Sequence, residues 1–266
     1  MEEFIAHLEA RGMSRNTVCS YRFAIRQLLS RCSSLSDESL LAHKDWLVTG
    51  FSAKTANLRI GAINNYLDFT DYPGLRLKGV RIQQKPFLDN VISQTEYEML
   101  RDGLKRDENW FWYFIIRFLA CTGARVSELR QMTTSAIYVG HLDIISKGDK
   151  LRRIYIPASL QQEAIGWLKS RNMENGYIFT NCNGGQMSAR GISLGLKRCA
   201  VRYGVNADVV YPHSFRHLFA KNFIARDSDI AFLADLMGHE SIETTRIYLR
   251  RTAAEQRAAV NSAIDW

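Results

Sequence analysis

Four short stretches, far apart in the chain, hold side chains at spacings suited to chemistry on an anion. In Thr122-Gly123-Ala124-Arg125-Val126-Ser127-Glu128 a glycine turn enters a helix, and Glu128 follows Arg125 by three residues, where a carboxylate can hold a guanidinium in fixed orientation. The same spacing also describes an ordinary surface ion pair. In Pro212-His213-Ser214-Phe215-Arg216-His217 an imidazole and an arginine fork share one helix face and can grip two non-bridging phosphate oxygens. His213 and His217 also have the i,i+4 spacing of a zinc helix, although Ser214 stands where the glutamate base of a His-Glu-x-x-His motif would be. A helix start with unrelated polar residues is the third reading. In Leu236-Met237-Gly238-His239 the glycine suits a left-handed helix end. Ser241 opens the next helix, with His239 in the turn and Tyr248 two and a half turns on; a capping histidine and a half-buried aromatic are the plainer readings. Lys147 sits in the turn Lys147-Gly148-Asp149-Lys150, either solvated or reaching down to a ligand.

Helices must position most of these groups. Ser14 is placed to cap a helix running to about Arg31, with Tyr21, Ile25, Leu28 and Leu29 as its apolar stripe and Arg15, Arg22 and Arg26 on a neighbouring face. Ser36 caps a second, containing Leu40, Leu41 and Trp46. Ser52 opens a third, with Leu58, Ala62, Ile63 and Tyr66 apolar and Lys54, Asn57 and Arg59 polar. From Asp71 to about Asn90 the pattern fails. Pro73, Gly74, Gly79 and Pro86 punctuate this stretch and Arg76, Lys78, Arg81 and Lys85 charge it, as in a basic interdomain linker or a surface loop.

Ser93 and Glu96 have capping-box spacing, and a strongly apolar helix follows from Trp110 to Cys121, ending near Gly123. Short β-branched runs at 137–139, 142–145 and 153–156 predict a three-stranded antiparallel meander. Helices return at 159–171, 188–203, 214–226, 229–237 and 242–250, and Thr252 with Glu255 caps a last one to about Ala263. The expected architecture is mainly α with a small antiparallel three-stranded sheet, in two domains: a helical 1–72, a basic linker 73–90, and a larger 91–266.

Composition bounds the rest. The 266 residues are 46% hydrophobic and 11% aromatic with only 4 prolines, which excludes a disordered or low-complexity chain. Lys plus Arg number 35 against 27 for Asp plus Glu, a net +8 that favours a polyanionic partner. The five cysteines form no Cys-x-x-Cys pair, which points to a reducing compartment rather than a disulfide framework. Met1-Glu2-Glu3-Phe4 lacks the apolar core of a signal peptide, and the apolar run from Trp110 stops at Arg117. A cytoplasmic protein that does not enter a membrane is expected.

Taken together, Thr-Gly-x-Arg125-x-x-Glu128, Lys147 in a Lys-Gly-x-Lys-x-Arg hairpin, His213-x-x-Arg216-His217, Leu-Met-Gly-His239, and Tyr248 nine residues later resemble the tyrosine recombinase (phage integrase) family. The agreement in order and spacing spans about 93–250 and is nearest to the compact Xer-like recombinases and short integrases. More loosely, the first helices and the basic stretch resemble the SAM-like core-binding domain of these enzymes.

The resemblance implies site-specific exchange of double-stranded DNA through a 3′-phosphotyrosyl intermediate, with no metal, ATP or other cofactor. Tyr248 would be the nucleophile, Arg125 and Arg216 the clamp on the non-bridging oxygens, and His239, with His213 in part, would donate hydrogen bonds to them or assist the nucleophile. His213 would be the candidate base, Lys147 the acid for the leaving 5′-oxygen, and Glu128 an orienting partner of Arg125. A phenol with a pKa of about 10 needs neighbouring cations to ionise at neutral pH. The chain has no Gly-x-x-x-x-Gly-Lys-Ser/Thr loop, consistent with bond energy conserved in a covalent intermediate. Further implications are Arg15, Arg22, Arg26, Lys54 and Asn57 as DNA contacts, with a solvated helix face as the plainer reading; a homotetramer that exchanges its C-terminal helices, the alternative being a last helix packed on its own domain; an accessory DNA-bending or directionality factor; and a nucleoid location in a bacterial or mobile-element setting. Competing readings are a type IB topoisomerase, a DNA-binding regulator with a retired catalytic domain, and a zinc hydrolase.

Overall fold

A computed structural model describes residues 1–72, 74–82, 90–146, 150–239, 241–248 and 253–264. Two compact units, Met1–Lys85 and Pro86–Trp266, divide the chain.

The first unit is built from α1 (Glu2–Ala10), α2 (Arg15–Arg31), α3 (Asp37–Gly50) and α4 (Ala53–Phe69). Ser14, Ser36 and Ser52 each accept a hydrogen bond from the backbone N–H three residues on, as their positions before the apolar stripes predict. Phe4, Leu8, Ile25, Leu28, Leu47, Ile63 and Leu67 are buried together. Three expected core residues, Leu29, Leu41 and Leu58, are exposed instead. On α4 the inward stripe is Ala56, Ile60, Ile63 and Leu67, whose alternating four- and three-residue steps leave Leu58 on the far face.

Within the stretch expected to be a linker, residues 74–82 belong to this unit. Leu77 is buried, with Leu75 and Val80 packed on the same core. Two α4 asparagines hold this extended backbone. Asn64 accepts from the Leu77 N–H and donates to its carbonyl, both at 3.0 Å. Asn57 does the same for Val80 at 2.7 and 2.8 Å. The two asparagines lie seven residues apart on one helix face. Residues 83–89 lie outside the described residues.

The second unit runs α5 (Gln94–Arg106), α6 (Trp110–Thr122), α7 (Val126–Leu129), α8 (Thr134–Val139), β1 (His141–Ser146), β2 (Lys150–Tyr155), α9 (Ala158–Ser170), α10 (Ala189–Arg202), α11 (Pro212–Ile224), α12 (Ile230–Met237), α13 (Ile242–Tyr248) and α14 (Ala253–Ala263). The Ser93–Glu96 capping box closes on α5. Helix α6 is the central rod: Phe114, Ile115, Phe118 and Leu119 are buried, and Phe114 stacks on Trp167 at 4.6 Å. No helix among the described residues is long and apolar enough to cross a membrane.

Among the described residues the sheet has two strands rather than three. β1 and β2 pair antiparallel from His141↔Tyr155 to Ser146↔Lys150. The run read as a first strand is helix α8. Thr133 caps it through the Ala136 N–H, and the neighbours Ala136 and Ile137 both face the core while Tyr138 and Val139 are exposed. Two inward then two outward is a helical repeat; a half-buried strand would alternate.

Candidate active site

The site is assembled at the C-terminal end of α12. There Gly238 adopts a left-handed conformation with φ +60°, ending the helix and leaving its last carbonyls without partners in the helix. Three guanidiniums from three distant elements take three consecutive carbonyls. Arg152 donates to Leu236 O at 2.9 Å, Arg216 to Met237 O at 2.5 Å, and Arg125 to Gly238 O at 3.1 Å. Cations suit this end of a helix because the aligned peptide dipoles make it negative.

Arg125 follows a second left-handed glycine, Gly123, that ends α6. A Cβ at Gly123 would stand 2.4 Å from Phe219 Cδ1, so position 123 excludes larger side chains on steric grounds as well as by its φ of +62°. Arg125 is the N-cap of α7, and Glu128 reaches back to accept from the Arg125 N–H at 2.6 Å and from its Nη1 at 2.9 Å. The i,i+3 pair read from sequence is therefore a double hold on one residue. Arg125 keeps 38% of its side-chain surface exposed. Burial works against the Glu128 charge, but Arg152 and Arg125 outweigh it and hold the carboxyl below its ordinary range.

Arg216, on the second turn of α11, is completely buried. Its Nη1 donates to Gly123 O and its Nη2 to Met237 O, both at 2.5 Å, so it fastens the ends of α6 and α12 together. Its Nη2 also lies 2.9 Å from His239 Nε2. His239 Nδ1 is 2.9 Å from the hydroxyl of Thr245 on α13. Burial, with Arg216 and Arg125 next in effect, pushes the His239 pKa down to about 4, so the ring is neutral at pH 7. At the opening of α11, His213 is exposed and its ring stands edge-on to His217 at 5.4 Å. His217 is buried, its pKa lowered to about 4 by burial and by His213. Ser214 accepts from the Ile92 N–H at 2.7 Å, anchoring α11 to the start of the unit.

Arg125, Glu128, Arg216 and His239 are thus in one hydrogen-bonded group. Lys147 and the Tyr248 side chain lie outside the described residues, as does Thr252. In the first unit Arg15, Arg26 and Lys54 are exposed, and Arg22 lies 3.8 Å from Glu2. Asn57 is half-buried, and its amide holds the Val80 backbone at both ends.

Arg152 and Thr245 were not among the site residues read from sequence. Arg152 had a legible signal: it closes the Lys-Gly-x-Lys-x-Arg hairpin motif, and residues 152 and 154 are the inward positions of β2, where an arginine needs a buried anion. Thr245 had none, being one of two adjacent threonines on a short polar helix.

Among the described residues no group of three or more His, Cys, Asp or Glu side chains is placed to hold a metal ion. A cavity of about 590 Å³ lies beyond Thr122, lined by Tyr97, Arg117, Cys121 and Phe219, and none of the candidate catalytic residues lines it.

The pattern of the phage integrase family matches residues 90–255. Among curated relatives, the tyrosine recombinase XerA of Pyrococcus furiosus is 30% identical over 99% of this chain and 93% of its own length. XerC of Erythrobacter litoralis is 26% identical over 98% and 90%. Among solved structures, XerA recombinase matches with a TM-score of 0.57 at 22% identity, covering 100% of this chain and 98% of that one. XerH bound to a palindromic difH substrate matches at 0.73 and 18%, covering 94% and 81%. A lambda integrase tetramer bound to a Holliday junction matches at 0.74 and 16%, covering 100% and 77%.

Proposed function

The chain belongs to the phage integrase family, and on that premise we propose that it is a tyrosine-type site-specific DNA recombinase, breaking and rejoining strands through a 3′-phosphotyrosyl intermediate. The observation that carries this reading is the convergence of Arg125, Arg216 and His239 from three distant stretches, directly ahead of the helix that reaches Tyr248.

In the proposed reaction the Tyr248 phenol oxygen attacks the scissile phosphorus and gives its proton to His213. The bond to the 5′-oxygen breaks, and Lys147 protonates that leaving group. A 5′-hydroxyl from another strand reverses the step, so no outside energy source enters. Negative charge that builds on the phosphorane oxygens is balanced by Arg125, held by Glu128 before the substrate arrives, and by Arg216, which must first turn a nitrogen away from its internal partners. Arg125 has the exposed surface for this contact. Glu128 holds Arg125 and touches no DNA.

The first unit is proposed as the core-binding domain, with Arg15, Arg22, Arg26 and Lys54 at phosphates, which makes affinity salt-dependent. Duplex DNA is the partner, and four copies are proposed to act together, the α14 segment of each docking on a neighbour. Relatives in DNA complexes and as a tetramer support both parts. An accessory factor that sets direction is part of the same reading, as is action at the nucleoid.

The test is a nicked suicide duplex from the repeated DNA flanking the coding sequence. Wild-type protein is expected to give an SDS-resistant DNA complex, and Tyr248→Phe to give none while still shifting the duplex in a gel. A covalent complex from Tyr248→Phe removes Tyr248 as nucleophile. Relaxation of supercoiled DNA regardless of site turns the reading toward a topoisomerase. Deleting the residues after Arg251 is expected to leave cleavage and weaken synapsis; unchanged recombination rules out helix docking.

A further inference from the structure

We propose that Arg152 is a positioning residue of the reaction, the strut that fixes Arg125 and His239 relative to one another; this rests on the recombinase reading above. Arg152 points inward from β2 and is 6% exposed. Its Nη1 donates to Glu128 Oε1, the oxygen that also receives Arg125 Nη1. Its Nη2 donates to Leu236 O at 2.9 Å, in the last turn of α12. Its stem runs under Gly238 so closely that a Cβ there would stand 2.5 Å from Arg152 Cδ and 2.8 Å from Nε.

These contacts give Glu128 a second function. A carboxylate that served Arg125 alone would fix Arg125 only relative to its own short helix, α7. By sharing the carboxylate, Arg152 ties α7 to β2, and its other nitrogen ties both to the end of α12. His239 follows that end by two residues, so its ring stands at a set distance from the Arg125 guanidinium. One forked cation bridges three elements here because its two nitrogens reach two acceptors at once. An ammonium presents a single point charge and cannot reproduce both hydrogen bonds. Arg152 itself is buried behind Gly238, and its assigned role is exercised through Arg125 and His239.

The test measures single-turnover formation of the covalent complex, at saturating protein and a temperature where circular dichroism shows each variant folded. Arg152→Met is expected to slow the step by about 10²-fold, the scale for losing a preorganised donor, with DNA affinity unchanged. Arg152→Lys is expected to fall between Met and wild type. Arg152→Met combined with Glu128→Gln is expected to be no slower than the worse single variant, since both act through one network. The discriminating substrate carries a methylphosphonate at the scissile position. With one charged oxygen gone, a misplaced Arg125 matters less, and the Arg152→Met deficit is expected to shrink. A purely packing role leaves the deficit equal on both substrates. Equal deficits, or wild-type rates from folded Arg152→Met, overturn the proposal. Failure of wild-type protein to form any covalent complex overturns the recombinase reading itself, and this one with it.

Discussion

Nη2 of Arg216 lies 2.9 Å from Nε2 of His239. A guanidinium has no acceptor, so the imidazole must accept at Nε2, and the neutral ring then carries its proton on Nδ1, directed at the Thr245 hydroxyl 2.9 Å away. This differs from one of the two roles the family resemblance implies, donation from His239 to a phosphate oxygen rather than assistance to the nucleophile. Engagement of phosphate by Nε2 requires Arg216 to release that nitrogen, with the ring proton moving to it. Arg216 and His239 are therefore coupled, and losing one changes the tautomer available to the other.

Arg216 and Arg125 are expected to fail differently when replaced. Arg216→Met leaves the Gly123 and Met237 carbonyls unpaired in the interior, at about 1–3 kcal/mol each. It is expected to lower urea stability and cleavage together. Arg125→Gln removes a half-exposed side chain and is expected to cost cleavage about 10²–10³-fold with a smaller loss of stability. Urea melts and covalent-complex assays on the two variants check this contrast; equal stability losses count against it.

The two low-pKa histidines set a pH window for stability. His217 and His239 sit near 4 in the folded chain against an ordinary 6.5, so the unfolded chain binds protons more readily. Their contribution is complete above about 6.5 and is lost as pH falls from there toward 4. Glu128, held low by its two arginines, adds loss in the same direction at lower pH. The urea midpoint is expected to be level from pH 8 to 7 and to fall through pH 5. His217→Gln is expected to make that fall shallower, and an unchanged slope excludes His217 as a contributor.

Local sequence rules reached much of this fold. Ser14, Ser36, Ser52 and Ser93 cap helices because each precedes a helical stripe with an N–H to satisfy, which involves only neighbours in the chain. The 137–139 run predicts a strand but is the end of a helix, because β-branched residues suit both a strand and a short buried helix; Thr133, a cap three residues before Ala136, is the cue that decides it. At the site, motif spacing selected Arg125, Glu128, Arg216 and His239, which do meet. The carbonyls they hold were not legible, because backbone acceptors carry no residue identity. Asn57 shows the same limit: its backbone partner lies 23 residues ahead in a stretch with no periodicity, so the structural hold it provides was not legible.

Gly238 is fixed by two separate constraints, and two substitutions separate them. Its φ of +60° penalises any Cβ, by roughly 1–2 kcal/mol for alanine, and the Arg152 stem occupies the space that Cβ would fill. Asparagine tolerates the left-handed region but still carries a Cβ. Gly238→Asn is therefore expected to recover part of the stability lost by Gly238→Ala while cleavage stays low in both. Full recovery of cleavage by Gly238→Asn would show that the backbone alone sets this position.

In the first unit, salt dependence distinguishes DNA contacts from internal struts. Arg15 and Arg26 are exposed, and each is expected, on replacement by Ala, to lower the slope of log binding constant against log salt by about 1, the signature of one lost phosphate contact. Asn57 instead fastens Val80 by two hydrogen bonds, together worth about 1–3 kcal/mol. Asn57→Ala is expected to lower the thermal midpoint of the unit while leaving the salt slope at the wild-type value. Binding isotherms at several salt concentrations, paired with thermal melts of the same proteins, give both quantities. A reduced slope for Asn57→Ala with an unchanged melt would return this residue to the DNA-facing set; unchanged slopes for both arginine variants would remove that face of α2 from the duplex.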